Sequence, residues 1–199
     1  SASRGGVQLK SMRPVGFIGM GESSVMARHP WDLAGRVVVI SGGNAGIGLG
    51  FARGIAKAGG DLVIWGRRQD RNEAAAEELR KFGVRVLAQE VDVSDEAKVI
   101  KSFAAAVEAM GRVDGAIANA GLMMNQGCFT NMTGEAWHSL LSVNQHGAFY
   151  LAREAARHMR ARAEAGDPGG SILFCASLSA VTGSIGMQHY NASKGAAHI

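Results

Sequence analysis

The sequence predicts an α/β fold, a doubly wound parallel sheet with helices on both faces. Three observations predict it. Short continuous apolar runs recur along the chain, beginning with Val-Val-Val-Ile at 37–40, as strands buried on both faces require. Most are followed by a segment with apolar residues at helical spacing. At the first strand-to-helix junction stands the glycine-rich run Ser41-Gly42-Gly43-Asn44-Ala45-Gly46-Ile47-Gly48. Such a turn lets backbone N–H groups approach a pyrophosphate unobstructed by Cβ atoms, and the helix dipole behind it favours negative charge.

In chain order, residues 37–40 read as the first strand and 47–58 as a helix with Leu49, Ala52, Ile55 and Ala56 at helical spacing. Residues 62–65 are the second strand. Residues 72–82, rich in Ala, Glu, Leu and Arg, form the second helix, and 84–91 the third strand. Ser94 caps a helix reaching about Met110, with Asp95 and Glu96 in its first turn, where the dipole favours acids. Residues 113–118 are the fourth strand. Thr133 opens a long helix carrying Glu135, Trp137, Leu140 and Leu141 in its first part, and Pro168-Gly169-Gly170 ends that region. A fifth buried strand follows at 171–176, and a last helix begins near Gln188. Repeated β–α–β units cross over right-handedly, which yields the doubly wound sheet.

The 199 residues suit one domain, read as 31–199. No apolar run reaches the ~18–20 residues needed to cross a bilayer. The net charge of +4 is mild and aromatics make up only 6%, which argues against a nucleic-acid surface. Cys128 and Cys175 can build neither a disulfide framework nor a metal-spaced cluster, so a reducing, cytoplasmic setting is expected. Residues 1–30 read as an extension, flexible or left by cloning, with Met26 as the natural start; the rival reading is an organelle transit peptide. Within it, Val15-Gly16-Phe17-Ile18-Gly19-Met20-Gly21 imitates a second dinucleotide fingerprint. No strand run precedes it and Ser24 replaces the third glycine, so it reads as coincidence.

In a doubly wound sheet, ligands bind at the carboxyl ends of the strands. The polar residues there are Asp92, Asn119 and Ser177, with Tyr190 and Lys194 on the following helix and Asn144 inside the long one. Tyr190 and Lys194 are four apart and share a helical face. A tyrosine with an ordinary pKa of about 10 is a poor base near neutrality, and a nearby ammonium favours its phenolate. The loop from Ser177 is long enough to bring its hydroxyl beside the phenol. Taken singly, Tyr190 and Lys194 also read as a solvated helix pair, Ser177 as a turn residue rivalled by Ser179, and Asn144 as satisfying a helix irregularity. At the end of the second strand, Gly66 takes the place of an acid that would bind a ribose 2′-hydroxyl, and Arg67 and Arg68 follow. A guanidinium fork suits a 2′-phosphate, so NADP is favoured over NAD. Ordinary exposed charges, with Asp70 blurring the choice, are the alternative.

Taken together, these motifs resemble the short-chain dehydrogenase/reductase family from Leu33 onward, in family order. The resemblance lies in Ser41-Gly42 with Gly46-Ile47-Gly48, in Asp92-Val93, in Ala118-Asn119-Ala120-Gly121, in Val143-Asn144, and in Ser177, Tyr190 and Lys194. The glycine spacing matches the reductase-type branch rather than the sugar-nucleotide epimerases. Ser41 for Thr and Ala118 for Asn are mild departures. The resemblance implies a Rossmann fold and hydride transfer between NADP(H) and a ketone or secondary alcohol. It makes Tyr190 the general acid/base and Ser177 the group that positions the substrate oxygen. Lys194 would bind the nicotinamide ribose, and Asn144 would hold a relay water. Asp92 and Val93 would flank the adenine, and Asn119, Ala120 and Gly121 the adjoining ribose. Met123, Met124, Met187 and His189 are candidates for the substrate wall, with core packing as the equal alternative. A small-molecule substrate and a homo-oligomer are implied, with no nucleic-acid or membrane partner. Family members continue past the Tyr–Lys helix with a further strand, a covering loop and helix, and a final strand. Ile199 stands five residues past Lys194, so these parts are expected to be missing and this piece alone to have little activity. A non-catalytic dinucleotide-binding or regulatory protein of the same fold is the competing reading, and a structural subunit a third.

Overall fold

A computed structural model of the protein describes residues 31–199; the extension at 1–30 and its imitation glycine motif lie outside them. Five strands form one parallel sheet: β1 (Val37–Ser41), β2 (Asp61–Gly66), β3 (Val86–Glu90), β4 (Gly115–Ala118) and β5 (Ser171–Phe174). Their spatial order is β3-β2-β1-β4-β5. The chain thus winds outward from β1 to β3, returns to the far side of β1, and continues to β5. This is the doubly wound Rossmann-type arrangement the apolar runs predict.

Helices α1 (Gly46–Lys57) and α2 (Gln69–Arg80) cover one face; α3 (Glu96–Met110) and α5 (Ala148–Glu164) cover the other. Strand periodicity divides the core between them. Val37, Val39, Val63, Trp65, Ala116 and Ala118 pack with α3 and α5. Val38, Ile40, Leu62, Ile64 and Ile117 pack with α1 and α2. Each fully buried Val, Leu or Ile contributes about 1.5–3 kcal/mol of transfer free energy. No helix among the described residues is long and apolar enough to cross a membrane.

The structure corrects several element boundaries. Helix α2 begins three residues before Asn72. The cap of α3 is Asp95, whose carboxylate accepts the Lys98 N–H at 3.0 Å; Ser94 instead donates its hydroxyl to Asp92. Strand β5 ends at Phe174 and is largely exposed rather than buried, because among the described residues it is an edge that pairs only with β4. The long helix expected between β4 and β5 is divided. A short 3-10 turn (Phe129–Asn131) precedes α4 (Gly134–Leu141), and a π-helical segment (Ser142–Gly147) joins α4 to α5. A single-turn α6 (Ser179–Thr182) precedes α7 (Gln188–His198).

At the amino-terminal end of the sheet, the nearly buried Asp114 carboxylate gathers Arg36, Arg112 and the Val37 N–H. Burial pushes its pKa upward, but the hydrogen bonds from Arg112, Val37 and Arg36 outweigh it and hold the group at about 2. Because the folded pKa lies below the ordinary 3.8, the stabilisation is present above that value and is lost as pH falls through 2. The shift corresponds to about 2 kcal/mol. Asp114→Asn is therefore expected to lower unfolding free energy by about that amount at pH 7, measured by urea denaturation, with the gap to wild type narrowing below pH 3. A gap that stays constant down to pH 2 would contradict this account.

Candidate active site

The chain reverses its winding direction between β1 and β4, and a crevice of about 650 Å³ opens there at the carboxyl ends of the strands. Its lining includes Gly42 and Asn44 from the glycine turn, Gly66, Arg67 and Arg68 after β2, Asp92 and Val93 after β3, and Ala120 and Gly121 after β4.

The glycines of the turn meet different demands. Gly42 has φ 68° and Gly46 has φ 52°, conformations that favour residues without a Cβ. At Gly48 the constraint is space, since a Cβ would overlap the carbonyl oxygen of Gly42. Ser41 and Asn119 frame the turn from behind. The buried Ser41 hydroxyl accepts the N–H groups of Asn119 and Ala120 at 3.0 and 3.1 Å and donates to the Ile117 carbonyl. Asn119 returns its side-chain amide to the carbonyls of Ser41 and Gly42. The two residues lock the glycine turn to the end of β4, leaving the Ser41 hydroxyl fully engaged within the protein. Ile47 is exposed at the start of α1.

Arg67 and Arg68 are exposed, and among the described residues no side chain pairs with either guanidinium. Asp92 accepts the backbone N–H and hydroxyl of Ser94. Val93 packs so closely on Gly147 that a Cβ there would overlap it, which brings the π segment against the crevice wall.

Asn144 lies in that π segment and is only 2% exposed. Its carboxamide pairs with both backbone groups of Leu122, accepting the N–H at 2.7 Å and donating to the carbonyl at 2.9 Å. It also donates to the Ser193 hydroxyl, which donates to the Tyr190 carbonyl. Asn144 therefore ties the loop after β4 to helix α7. Short π-helical segments within α-helices occur frequently at functional sites. Asn144 thereby satisfies the helix irregularity at this point.

On α7, Lys194 is buried and donates its ammonium to the Cys175 carbonyl at 2.5 Å, with Nζ 5.9 Å from the centre of the Tyr190 ring. Burial pushes its pKa below the ordinary lysine value, and the neighbouring Cys175 thiol pulls weakly the other way. Ser177 lies three residues past the end of β5 and is half-buried. Its oxygen accepts the Ser179 N–H at 3.2 Å, which leaves the hydroxyl proton free to donate. No hydrogen bond joins Ser177 to Tyr190 among the described residues. Of the residues suggested as a substrate wall, His189 is fully buried and cannot line an open surface, whereas Met123 is exposed.

The sequence reading misses two residues of this region. Ser193 links Asn144 to α7. Asn72, fully buried in the first turn of α2, bonds to Asn44 of the glycine turn at 2.6 Å. The signal for Asn72 is a lone asparagine in a helix otherwise made of strong helix formers and charges.

Comparison with known proteins gives the same outline. The family model described as short chain dehydrogenase matches residues 36–199. The chain is 36% identical over 167 residues to an NADP-dependent (R)-specific alcohol dehydrogenase of Lentilactobacillus kefiri, covering 84% of this chain and 64% of that protein. The NADPH-dependent 3-quinuclidinone reductase of Rhodotorula rubra superposes with a TM-score of 0.76 at 35% identity, over 90% of this chain and 66% of the other. A 3-ketoacyl-(acyl-carrier-protein) reductase from Brucella melitensis complexed with NADH also gives a TM-score of 0.76, at 31% identity over 82% and 66%. The chain spans less than two-thirds of the length of the curated relatives it matches, 64% and 63% for two of them.

Proposed function

The chain belongs to the short-chain dehydrogenase/reductase family, and from that premise we propose that it transfers hydride between NADP(H) and a ketone or secondary alcohol of a small-molecule substrate. One observation carries the reading. The glycine-framed crevice, with the Arg67 and Arg68 guanidinium groups at its edge, is joined through Asn144 to the helix that bears Tyr190 and Lys194.

The residues fit a phosphorylated dinucleotide. Gly42 and Gly48 keep side chains out of the turn, where the N-terminus of α1 favours a pyrophosphate. Gly66 carries no carboxylate to repel a 2′-phosphate, and Arg67 and Arg68 offer charged forks for it. Asp92 and Val93 would flank the adenine, and Asn119, Ala120 and Gly121 the adjoining ribose, with Ser41 and Asn119 holding that shape from behind. Two relatives are named for NADP or NADPH dependence, while a third was solved with NADH.

The nicotinamide, when bound, supplies or accepts the hydride. This chain's own residues manage the proton. The Tyr190 phenol donates it to the substrate oxygen on reduction and takes it back on oxidation. The Lys194 ammonium, buried with Nζ 5.9 Å from the centre of the Tyr190 ring, would bind the nicotinamide ribose. The Ser177 hydroxyl donates to the same substrate oxygen. Asn144 keeps the loop after β4 in register with α7, and the family resemblance adds a relay water there. Assembly as a homo-oligomer and cytoplasmic residence belong to the same reading, supported by the resemblance and by the unpaired Cys128 and Cys175.

The cofactor class is tested by titrating NADPH and NADH at one fixed salt concentration, following nicotinamide fluorescence. A charged hydrogen-bond fork contributes about 1.5–3 kcal/mol, so NADPH is expected to bind at least about ten-fold tighter. Equal or tighter binding of NADH would overturn the assignment.

A further inference from the structure

Two stretches of the chain, 115–134 and 168–193, contain no Asp, Glu, Lys or Arg, although such residues make up 19% of the sequence. Both supply loops beside the proposed reaction site. The first leaves β4 through Ala120, Gly121 and Leu122, which line the crevice. The second leaves β5, passes Ser177 and reaches Tyr190 on α7. A backbone hydrogen bond joins the two loops, the Gln126 N–H donating to the Gly186 carbonyl at 2.9 Å.

Large apolar side chains on these loops face solvent. Met123 and Leu178 are each 73% exposed, Val181 66% and Ile185 95%. Leu178 directly follows Ser177, and Val181 stands three residues further on, in α6. Exposed apolar groups gathered in this way mark a surface that contacts something else. Polar side chains of the same loops bond largely to the loops themselves. The Asn125 carboxamide oxygen accepts the Gly127 N–H, and the Ser179 and Ser184 hydroxyls pair with each other. Thr182 donates its hydroxyl to the Leu178 carbonyl, and Asn191 its amide to the Ser184 carbonyl.

We propose that the substrate is an uncharged, mainly apolar ketone whose hydrocarbon part lies against Met123, Leu178 and Val181. Its oxygen meets the hydroxyls of Ser177 and Tyr190. The inference rests on the hydride-transfer reading above and narrows its substrate. A carboxylate or phosphate would leave water without a Lys or Arg from either stretch to receive it. The hydroxyls of a polyhydroxylated carbonyl compound would meet methyl and methylene groups. An alkyl or aryl group gains free energy on the same surface.

The test follows NADPH oxidation by the intact protein with three panels: aryl and alkyl ketones such as acetophenone, their carboxylated analogues such as 4-acetylbenzoate, and ketoses. Acetophenone is expected to show kcat/KM at least about ten-fold above the other two classes. The double variant Met123→Ser/Leu178→Ser takes one residue from each loop, both exposed, so the core stays intact. It is expected to raise KM for acetophenone about ten-fold, with kcat and NADPH affinity within about two-fold of wild type. A wall that binds ground and transition states alike acts on KM. Ile100→Ser, at an exposed apolar position on α3, is the control and should leave KM unchanged. Equal or better use of the carboxylated ketones or the ketoses would overturn the proposal. So would an unchanged KM in the double variant; if its melting temperature then falls by several degrees, the surface belongs to packing within the protein. A protein that binds NADPH and reduces nothing in any panel defeats the hydride-transfer reading. Preferred reduction of the charged or polyhydroxylated panels leaves that reading standing and defeats only this inference.

Discussion

Tyr190→Phe is expected to lower turnover of the intact protein by about 10²–10⁴-fold, the range a positioned general acid or base contributes. NADPH affinity should stay within about two-fold of wild type. The substitution removes one oxygen from a half-buried ring and leaves untouched the ring's neighbour Lys194, whose ammonium bonds to the Cys175 carbonyl. It also leaves in place the backbone link from Tyr190 through Ser193 to Asn144, because the Ser193 hydroxyl donates to the Tyr190 carbonyl and not to its phenol. The crevice wall should therefore survive the change. Steady-state rates of NADPH oxidation across a ketone panel, paired with a binding titration, check both halves. A variant that keeps wild-type turnover excludes Tyr190 as the proton donor. A wild type that binds NADPH and turns over no carbonyl compound favours the non-catalytic reading of the same fold.

Gly48→Ala is expected to produce the second large effect, on folding and binding together. The added Cβ would overlap the carbonyl oxygen of Gly42 and crowd the Asn119 amide, and neither is the free end of a flexible chain. Asn119 is held by Ser41 and in turn holds the carbonyls of Ser41 and Gly42. The strain has nowhere to dissipate except in the turn itself. Overpacking of this kind costs about 1–3 kcal/mol, sometimes more, and the turn it distorts is the one proposed to hold the pyrophosphate. A melting temperature lowered by several degrees and NADPH affinity reduced more than about ten-fold are the expected results. Gly50→Ala supplies the internal control. It lies on the same helix with nothing within 4 Å of its would-be Cβ, and should be neutral or stabilising by up to about 1 kcal/mol. Equal behaviour of the two variants would remove the steric argument for the fingerprint.

The contrast between Gly48 and Gly50 shows where sequence reading reaches and where it stops. The strands at the centre of the sheet were legible because burial on both faces demands uninterrupted apolar runs, and Val37–Ser41 and Asp61–Gly66 supply them. Strand β5 looked the same by composition, yet Leu173 and Phe174 are exposed, since among the described residues it pairs only with β4 and pairing is a property of the sheet, not of the segment. Asp95 and Ser94 are adjacent competent caps, and only geometry decides between them. The π segment leaves no local mark, because it follows from Asn144 bonding to Leu122 across 22 residues of chain. Asn72 was missed for a related reason: an asparagine in a first helical turn ordinarily faces water. The strand-end positions of Asp92 and Asn119 were legible because topology sets them. The bracing of Ser41 with Asn119 and of Asn44 with Asn72 joins segments far apart in sequence and needed coordinates.

The most direct measurement is a crystal structure of the protein with NADPH bound. The account predicts the pyrophosphate against the Gly42–Gly48 turn, the 2′-phosphate within hydrogen-bonding distance of Arg67 or Arg68, and the nicotinamide ribose at Lys194. A dinucleotide seated elsewhere, or one whose nicotinamide end lies away from Tyr190 and Lys194, would contradict it.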